Sequence, residues 1–500
     1  MGDKYLLALD EGTTGTRAIV FDKNGRQVAD AASEFTQIYP YPGWHEQDAV
    51  EILNTQVEMV NQAVAKAGIR FEDILAIGIT NQRETTVIWD KETGRPIYNA
   101  IVWSSRQTAD VVEQWAAEGY TEMVREKTGL ILDAYFSASK ISWILDHVEG
   151  ARRRAERGEL LCGTMDCWLM WNLTGRKAHV TDVSNASRTM LFNIHTLQWD
   201  EDLCRKMGIP MRMLPKVQPS NSEFGMTDPS IFGVSIPVHG CAGDQQSALF
   251  GQACFEPGMA KNTFGTAGVF VMNTGDKPVY REGLTTTVAW SLDGKVSYGL
   301  EGVIYASGAT IQWLRDGARL IYNSADSEWY GRMVPDTGGV YLVPAFTGLC
   351  APHYDMYARG VIVGITRGTT RNHMIRAGLE SMAYQTRDIT DCVLAQGDLH
   401  IPELRVDGGA VRNDLLCQFQ ADILGIPVVR PKVTEMTALG AAYLAGLGSG
   451  MWSSLDEIAK QWGVDAVFHP QMAAERREQL YHGWVEAVKL SRGWAKRVSV

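Results

Sequence analysis

Five hundred residues, 45% hydrophobic and 21% charged, have the composition of an ordinary globular protein with room for roughly two to four domains. A formal charge of -11 argues against a nucleic-acid-binding surface, and no uninterrupted apolar run is long enough to span a bilayer. The eight cysteines are scattered without a Cys-x-x-Cys pair, and the ten histidines form no metal-like cluster with them. With no basic flank and apolar run at the N-terminus, the expectation is a reduced, soluble, cytoplasmic chain without structural zinc.

The chain opens with an apolar run, Tyr5 to Leu9, then Asp10-Glu11-Gly12-Thr13-Thr14-Gly15-Thr16-Arg17, a second run, Ala18 to Phe21, and the turn Asp22-Lys23-Asn24-Gly25. This predicts three strands joined by tight turns. The first turn combines glycines that let amides approach an anion, threonine hydroxyls and the charge of Arg17. It is either a phosphate-binding loop or a solvated hairpin. Asp10 ends its strand where a metal accompanying phosphate would want an oxygen ligand. Asp48 to Gly68 has helical spacing, and Ile74 to Thr80 predicts a short buried strand. That strand delivers Asn81-Gln82-Arg83-Glu84-Thr85-Thr86 to its end, where open α/β sheets place ligands. A strand at Val87 to Trp89 and helices over 108–119, 121–128 and 139–148 follow, with Asp133-Ala134-Tyr135-Phe136-Ser137 between helices. Arg152-Arg153-Arg154 sits in an alternating-charge segment and reads as a solvated helix face.

Ile236 to Gly240 is a short apolar strand running into Cys241-Ala242-Gly243-Asp244-Gln245-Gln246, with a helix expected over 247–252. Lys261-Asn262-Thr263-Phe264-Gly265-Thr266-Ala267-Gly268 and the apolar Val269 to Met272 then repeat the opening pattern of strand, Gly/Thr turn and strand. Two similar halves, 1–250 and 251–500, are the reading. Helices over 307–321, 371–394 and 413–424 are expected in the second half, and Leu404 to Ala410 again takes a strand into glycines. Met436 to Leu447 is a helix of small residues suited to close packing. Four glycine-bearing turns after strands (10–17, 243–246, 264–268 and 407–410) jointly imply a large anion held by backbone amides. No P-loop and no Gly-x-Gly-x-x-Gly is present. With Asp10 and Asp244 each ending a strand in this α/β pattern, a nucleotide–metal site is favoured over isolated structural turns.

These motifs resemble those of the FGGY carbohydrate kinases, the sugar and polyol kinases of the actin-like ATPase superfamily, over nearly the whole chain. Asp10 to Ala18 resembles the first phosphate motif. Asn81 to Thr85 is similar to the substrate motif of the glycerol-phosphorylating members and differs from the Met-His-Gln type of xylulose kinases. The segments 134–137, 184–189, 243–246, 261–266, 311–316 and 407–413 match as well. The resemblance implies two actin-like (ribonuclease H-like) ATPase domains with a cleft between them, ATP/ADP and Mg²⁺ as cofactors, glycerol as substrate, and a homodimer or homotetramer. It makes Asp244 the base that takes the hydroxyl proton and Asp10, with Asp244, the metal site. Thr13, Thr14, Gly15 and Arg17 would face the phosphates from one half and Gly265 and Thr266 from the other, while Gly308, Gln312, Gly409 and Asn413 would line ADP. Arg83, Glu84, Tyr135, Asp244 and Gln245 would bind the polyol hydroxyls, with Trp103 as an apolar wall.

Plainer roles stay open for some of these residues. Asp244 would suit a helix cap, Trp103 a core position, and Arg83–Glu84 a structural pair, since neighbours on a strand face opposite ways. Ser104-Ser105 departs from the family pattern after Trp103, and Val269 stands where an aromatic usually closes over the substrate. A wider pocket, accepting a four-carbon polyol such as erythritol, is one expectation from the latter. The segment 225–237 lacks the family's fructose-bisphosphate loop, and Ser230 to Gly233 replaces its phosphorylatable histidine, so neither control is expected. A kinase for a larger polyol or a ketose, and an actin-like ATPase switch, are the rival readings.

Overall fold

The computed structural model describes residues 4–498. Two mixed sheets organise it. The first runs Gly225–Met226, Pro237–Gly243, Ile74–Asn81, Tyr5–Glu11, Gly15–Phe21, Gln27–Glu34. The strands Tyr5–Glu11, Ile74–Asn81 and Pro237–Gly243 are parallel neighbours, and the three opening strands form an antiparallel meander. Apolar residues stand on both faces of Tyr5–Glu11. Leu6 and Ala8 enter one core, Leu7 and Leu9 the other, which is why this strand is an unbroken apolar run and does not alternate.

The second sheet runs Thr285–Leu292, Lys295–Ile304, Gly268–Gly275, Ala260–Phe264, Leu404–Asp407, Val428–Pro431, Val464–Phe468. Its antiparallel meander, two parallel steps and antiparallel edge repeat the first sheet strand for strand, with Thr285–Leu292 added at one edge. The turn 12–14 of the first sheet and the turn 265–267 of the second therefore occupy equivalent places.

The helix after the third parallel strand is also equivalent in each half: Asp244–Gly251 in one, Met436–Gly448 in the other. These two helices pack directly on one another, and glycine permits it. A Cβ at Gly440 would lie 1.8 Å from the Ser247 carbonyl oxygen, and one at Gly251 would lie 2.1 Å from that of Met436. Met436–Gly448 also lies against the first sheet, where a Cβ at Gly78 would meet the Ala441 carbonyl at 2.1 Å.

Two differences from the sequence reading have simple causes. The helix expected over 307–321 is Gly308–Asp316 and stops at Gly317, after which Arg319 adopts a positive φ of 54° and turns the chain. The hairpin Thr285–Leu292/Lys295–Ile304 was not anticipated. Its signal is Asp293-Gly294, both at positive φ, between two runs of strand-forming residues.

Candidate active site

Asp10 lies at the end of Tyr5–Glu11, opposite Arg17 on one neighbouring strand and Thr80 on the other. Glutamines brace the loop that follows it. Gln56 donates to the Arg17 carbonyl (3.0 Å), Gln47 to the Thr13 carbonyl (2.6 Å), and Gln82 to Glu11 Oε1 (2.9 Å). The braced turn forms one wall of a cavity of about 510 Å³ through Asp10, Thr14, Gly15 and Arg17; Gly265, Asp407 and Glu435 form the facing wall. A second cavity of about 510 Å³ adjoins it, sharing Gly265, Gly409 and Arg412. Thr266, Gly308, Gln312, Gly409 and Asn413 all line that second cavity. The expected nucleotide residues thus form one trough. Thr13 does not line either cavity; its hydroxyl accepts the Trp103 indole N–H at 2.8 Å and keeps its own proton to donate.

The proposed polyol residues converge beyond Thr13. Arg83 and Glu84 follow the end of Ile74–Asn81, so strand alternation no longer governs them. Glu84 takes a left-handed backbone (φ 59°) and turns its carboxylate towards the guanidinium of Arg83, 3.9 Å away. Both belong to a buried ring of four charges. Arg83 pairs with Glu301, and Arg188 donates to Glu84 Oε1 at 2.6 Å and lies 2.8 Å from Glu301 Oε1. Burial raises the Glu84 carboxyl above its usual range despite the two arginines, whereas at Glu301 burial is outweighed by Arg188 and Arg83, which hold it low. Glu301 and the role of Arg188 escaped the sequence reading. Glu301 is a single acid in an apolar strand of the unanticipated hairpin, and only the Asp293-Gly294 turn pointed to that element.

Arg83 Nε also reaches Asp244 Oδ1 at 3.1 Å, and Gln245 Nε2 donates to Asp244 Oδ2 at 2.9 Å. The helix begins at Asp244 itself, not at Ser247, so the carboxylate opens the helix at the head of its strand. Behind it, Ser184 Oγ accepts the Gly243 N–H at 2.9 Å and is itself held by Asp182. Asp182, Asp166 and Cys241 form a buried cluster whose carboxylates are met by Thr164, Thr181, Ser184 and Ser220. Its place is under the turn that presents Asp244.

Trp103 and Tyr135 flank the ring of charges with centroids 5.4 Å apart, and the Arg188 guanidinium lies 5.8 Å from the Tyr135 ring centre. Buried Lys140 fixes the Tyr135 loop by donating to three successive carbonyls, Ala134 (2.5 Å), Tyr135 (2.8 Å) and Phe136 (3.3 Å). Burial lowers its ammonium to about 7. Val269 is buried beside Val303 and Cys350. A small, half-open space is lined by Tyr135, Arg188, Glu301 and Tyr305.

Asp10 and Asp244 differ in their donors. Both oxygens of Asp244 are engaged, whereas no described residue donates to the Asp10 carboxylate. Burial lifts Asp10 to about 7, Arg17 opposes, and Glu435 and Asp244 reinforce the rise. A partly buried carboxylate without donors, facing a cavity lined by backbone amides, fits a divalent cation accompanying phosphate.

The profile of the FGGY family of carbohydrate kinases, N-terminal domain, matches residues 5–251, and that of its C-terminal domain matches residues 260–449. The chain belongs to the FGGY family of carbohydrate kinases. This FGGY kinase is 59% identical over 495 residues to glycerol kinase 2 of Thermotoga maritima, covering 99% of this chain and 100% of the relative. It is 59% identical over 494 residues to the glycerol kinase of Caldanaerobacter subterraneus, covering 99% of each. Among solved structures it is similar to the Plasmodium falciparum glycerol kinase with ADP, with a TM-score of 0.91, 36% identity and 98% coverage of both chains. The xylulose kinase of Lactobacillus acidophilus, 22% identical with a TM-score of 0.86, shares the two-domain α/β fold.

Proposed function

We propose that this FGGY kinase phosphorylates glycerol with ATP, giving sn-glycerol 3-phosphate by in-line transfer. The observation that carries this reading is the placing of Asp244 between the ring Arg83–Glu84–Arg188–Glu301 and the phosphate turn of Asp10. An uncharged polyol offers only hydroxyls, and the site supplies fixed donors (Arg83, Tyr135, Gln245) and acceptors (Glu84, Asp244) beside the aromatic wall of Trp103. The two full-length relatives are named glycerol kinases.

Phosphoryl transfer asks for alignment, charge neutralisation and a proton acceptor. Asp244, its carboxylate held by Arg83 and Gln245, accepts the proton of the attacking hydroxyl. Thr14, Gly15 and Arg17 meet the phosphates from one half and Gly265 and Thr266 from the other; Gly308, Gln312, Gly409 and Asn413 hold the rest of the nucleotide. Asp10 is the residue to hold Mg²⁺, which when bound neutralises charge on the phosphates. In this reading residues 1–250 supply the polyol site and base, and residues 251–500 supply most of the nucleotide site.

Measuring ADP release across glycerol, erythritol and ketoses tests the reading: kcat/KM should be highest for glycerol. A higher value for any C4 or C5 substrate rejects the assignment, and ATP turnover indifferent to all of them favours an ATPase switch. The family resemblance supports a homodimer or homotetramer, to be measured by light scattering. No described helix is long and apolar enough to cross a membrane and no described cysteine is bonded, which supports a cytoplasmic location.

A further inference from the structure

Lys261 lies in Ala260–Phe264 of the second half, and its side chain is fully buried. A buried ammonium is tolerated only where its three protons are used. Here they are. Nζ donates to Gln245 Oε1 at 2.5 Å, to Thr263 Oγ1 at 2.9 Å and to the Val269 carbonyl at 3.1 Å. Two of these acceptors belong to the strand pair around Lys261; the third, Gln245, belongs to the first half.

The contact with Gln245 decides how that carboxamide points. A glutamine amide has two orientations of nearly equal shape, related by exchange of oxygen and nitrogen. An ammonium against one end admits only the oxygen there, because the flipped amide would set N–H against N–H. Oε1 therefore faces Lys261 and Nε2 faces Asp244, to whose Oδ2 it donates at 2.9 Å. The other carboxylate oxygen, Oδ1, accepts the Gln245 backbone N–H at 2.8 Å and lies 3.1 Å from Arg83 Nε. Arg83 fixes one edge of the carboxylate from the first half, and the second half fixes the other edge through the amide.

We propose that Lys261 is a positioning residue for the proton acceptor, setting the carboxamide of Gln245 and through it the carboxylate of Asp244. This rests on the reading of Asp244 as general base. It adds that the base is aligned by both halves at once. The donor to Oδ2 is dependable only while the strand bearing Lys261 lies against the helix bearing Gln245, so the acceptor is set where the second half's phosphate turn is in place. A lysine that merely filled a strand interior would support folding and would owe nothing to Gln245.

The test is a double-mutant cycle on the full chain, with glycerol-dependent ADP release by the wild type as the reference rate. Failure of the glycerol kinase reading shows in the wild type; failure of this inference shows only in the ratios. Lys261→Met keeps the apolar stem of the side chain and removes its ammonium. Its kcat should fall about 10–100-fold, as expected for a misaligned reacting group, with KM for glycerol and for ATP each within about threefold. Gln245→Ala should lose a comparable factor in kcat, and the double variant should be no slower than Gln245→Ala alone. Losses that multiply in the double variant, an unchanged kcat in Lys261→Met, or a defect confined to the KM for ATP would overturn the proposal. Should Lys261→Met not fold, Gln245→Glu decides: its carboxylate still accepts from Lys261 but cannot donate to Asp244. A kcat reduced with the KM for glycerol unchanged supports the proposal, and a wild-type kcat rejects it.

Discussion

Asp10 and Asp244 lie in one cleft and are carboxylates of different standing. Asp244 has a donor on each oxygen, and Asp10 has none from the described residues. Asp244→Asn should lower kcat about 10²–10⁴-fold, the usual range for a general base, while ADP binding by calorimetry stays near wild type. A loss of ADP affinity as large as the loss of rate would place Asp244 on the nucleotide. For Asp10 the prediction concerns pH. Its folded value, about 7, lies above the ordinary carboxylate range, so the folded chain keeps a proton that the unfolded chain has released. The contribution of the protonated group to stability is complete below about pH 4 and is lost as pH rises through about 7. In metal-free buffer Asp10→Asn should therefore gain stability over wild type progressively between pH 4 and 7, by about 2 kcal/mol from pH 5 to pH 8. Denaturant titrations at several pH values would show it, and a constant difference across that window would refute it.

At this scale the motif Asn81 to Thr85 was legible and its geometry was not. Residue types raise the expectation of hydrogen bonding to a small polyol. That Glu84 and Arg83 share one charge ring depends on a left-handed backbone at a non-glycine residue, which side-chain identity does not foretell. Thr13 shows the converse. Its hydroxyl is a fair phosphate donor by composition, and an indole 90 residues further along the chain fixes where that hydroxyl sits by donating to its oxygen.

Among the elements, the parallel strands and the helices with clear caps agreed with the sequence, since burial on both faces and caps such as Asp48 and Gly68 leave local marks. The hairpin of Glu301 left only its turn as a mark. The helix Met436–Gly448 carried its small residues openly, but which partner required them is a tertiary fact. That partner allows a sharp prediction. Alanine is normally favoured over glycine in a helix by about 1 kcal/mol, so an unconstrained Gly440→Ala would stabilise. With the Ser247 carbonyl 1.8 Å from the new Cβ, the substitution should instead destabilise by about 1–3 kcal/mol. Gly368→Ala, in a turn where the nearest atom to the new Cβ would be Thr366 Oγ1 at 3.9 Å, is the uncrowded comparison for urea unfolding. Equal effects at the two sites would mean that the helices separate freely.

For the whole molecule, two sheets of one topology face each other across a nucleotide trough, and Arg17 pairs with Glu435 across its mouth. Both side chains are well exposed, so the pair is worth well under 1 kcal/mol or thereabouts, and a phosphate arriving at Arg17 has to displace Glu435. Glu435→Gln should accordingly tighten ADP binding about two- to fivefold by calorimetry in low salt, an advantage that fades as salt rises. Weaker binding would make Glu435 a partner of the nucleotide. The crossing of Asp244–Gly251 with Met436–Gly448 bears on how such a trough could close. A contact this tight is a fulcrum, and Asp244 lies only three residues, about 4.5 Å of helix, from Ser247 at that crossing. If the halves swing like jaws about it, the outer walls at Gly308 and Asn413 sweep the larger arc while Asp244 scarcely shifts. The proposed proton acceptor then stands near the still point, and the phosphate is carried to it.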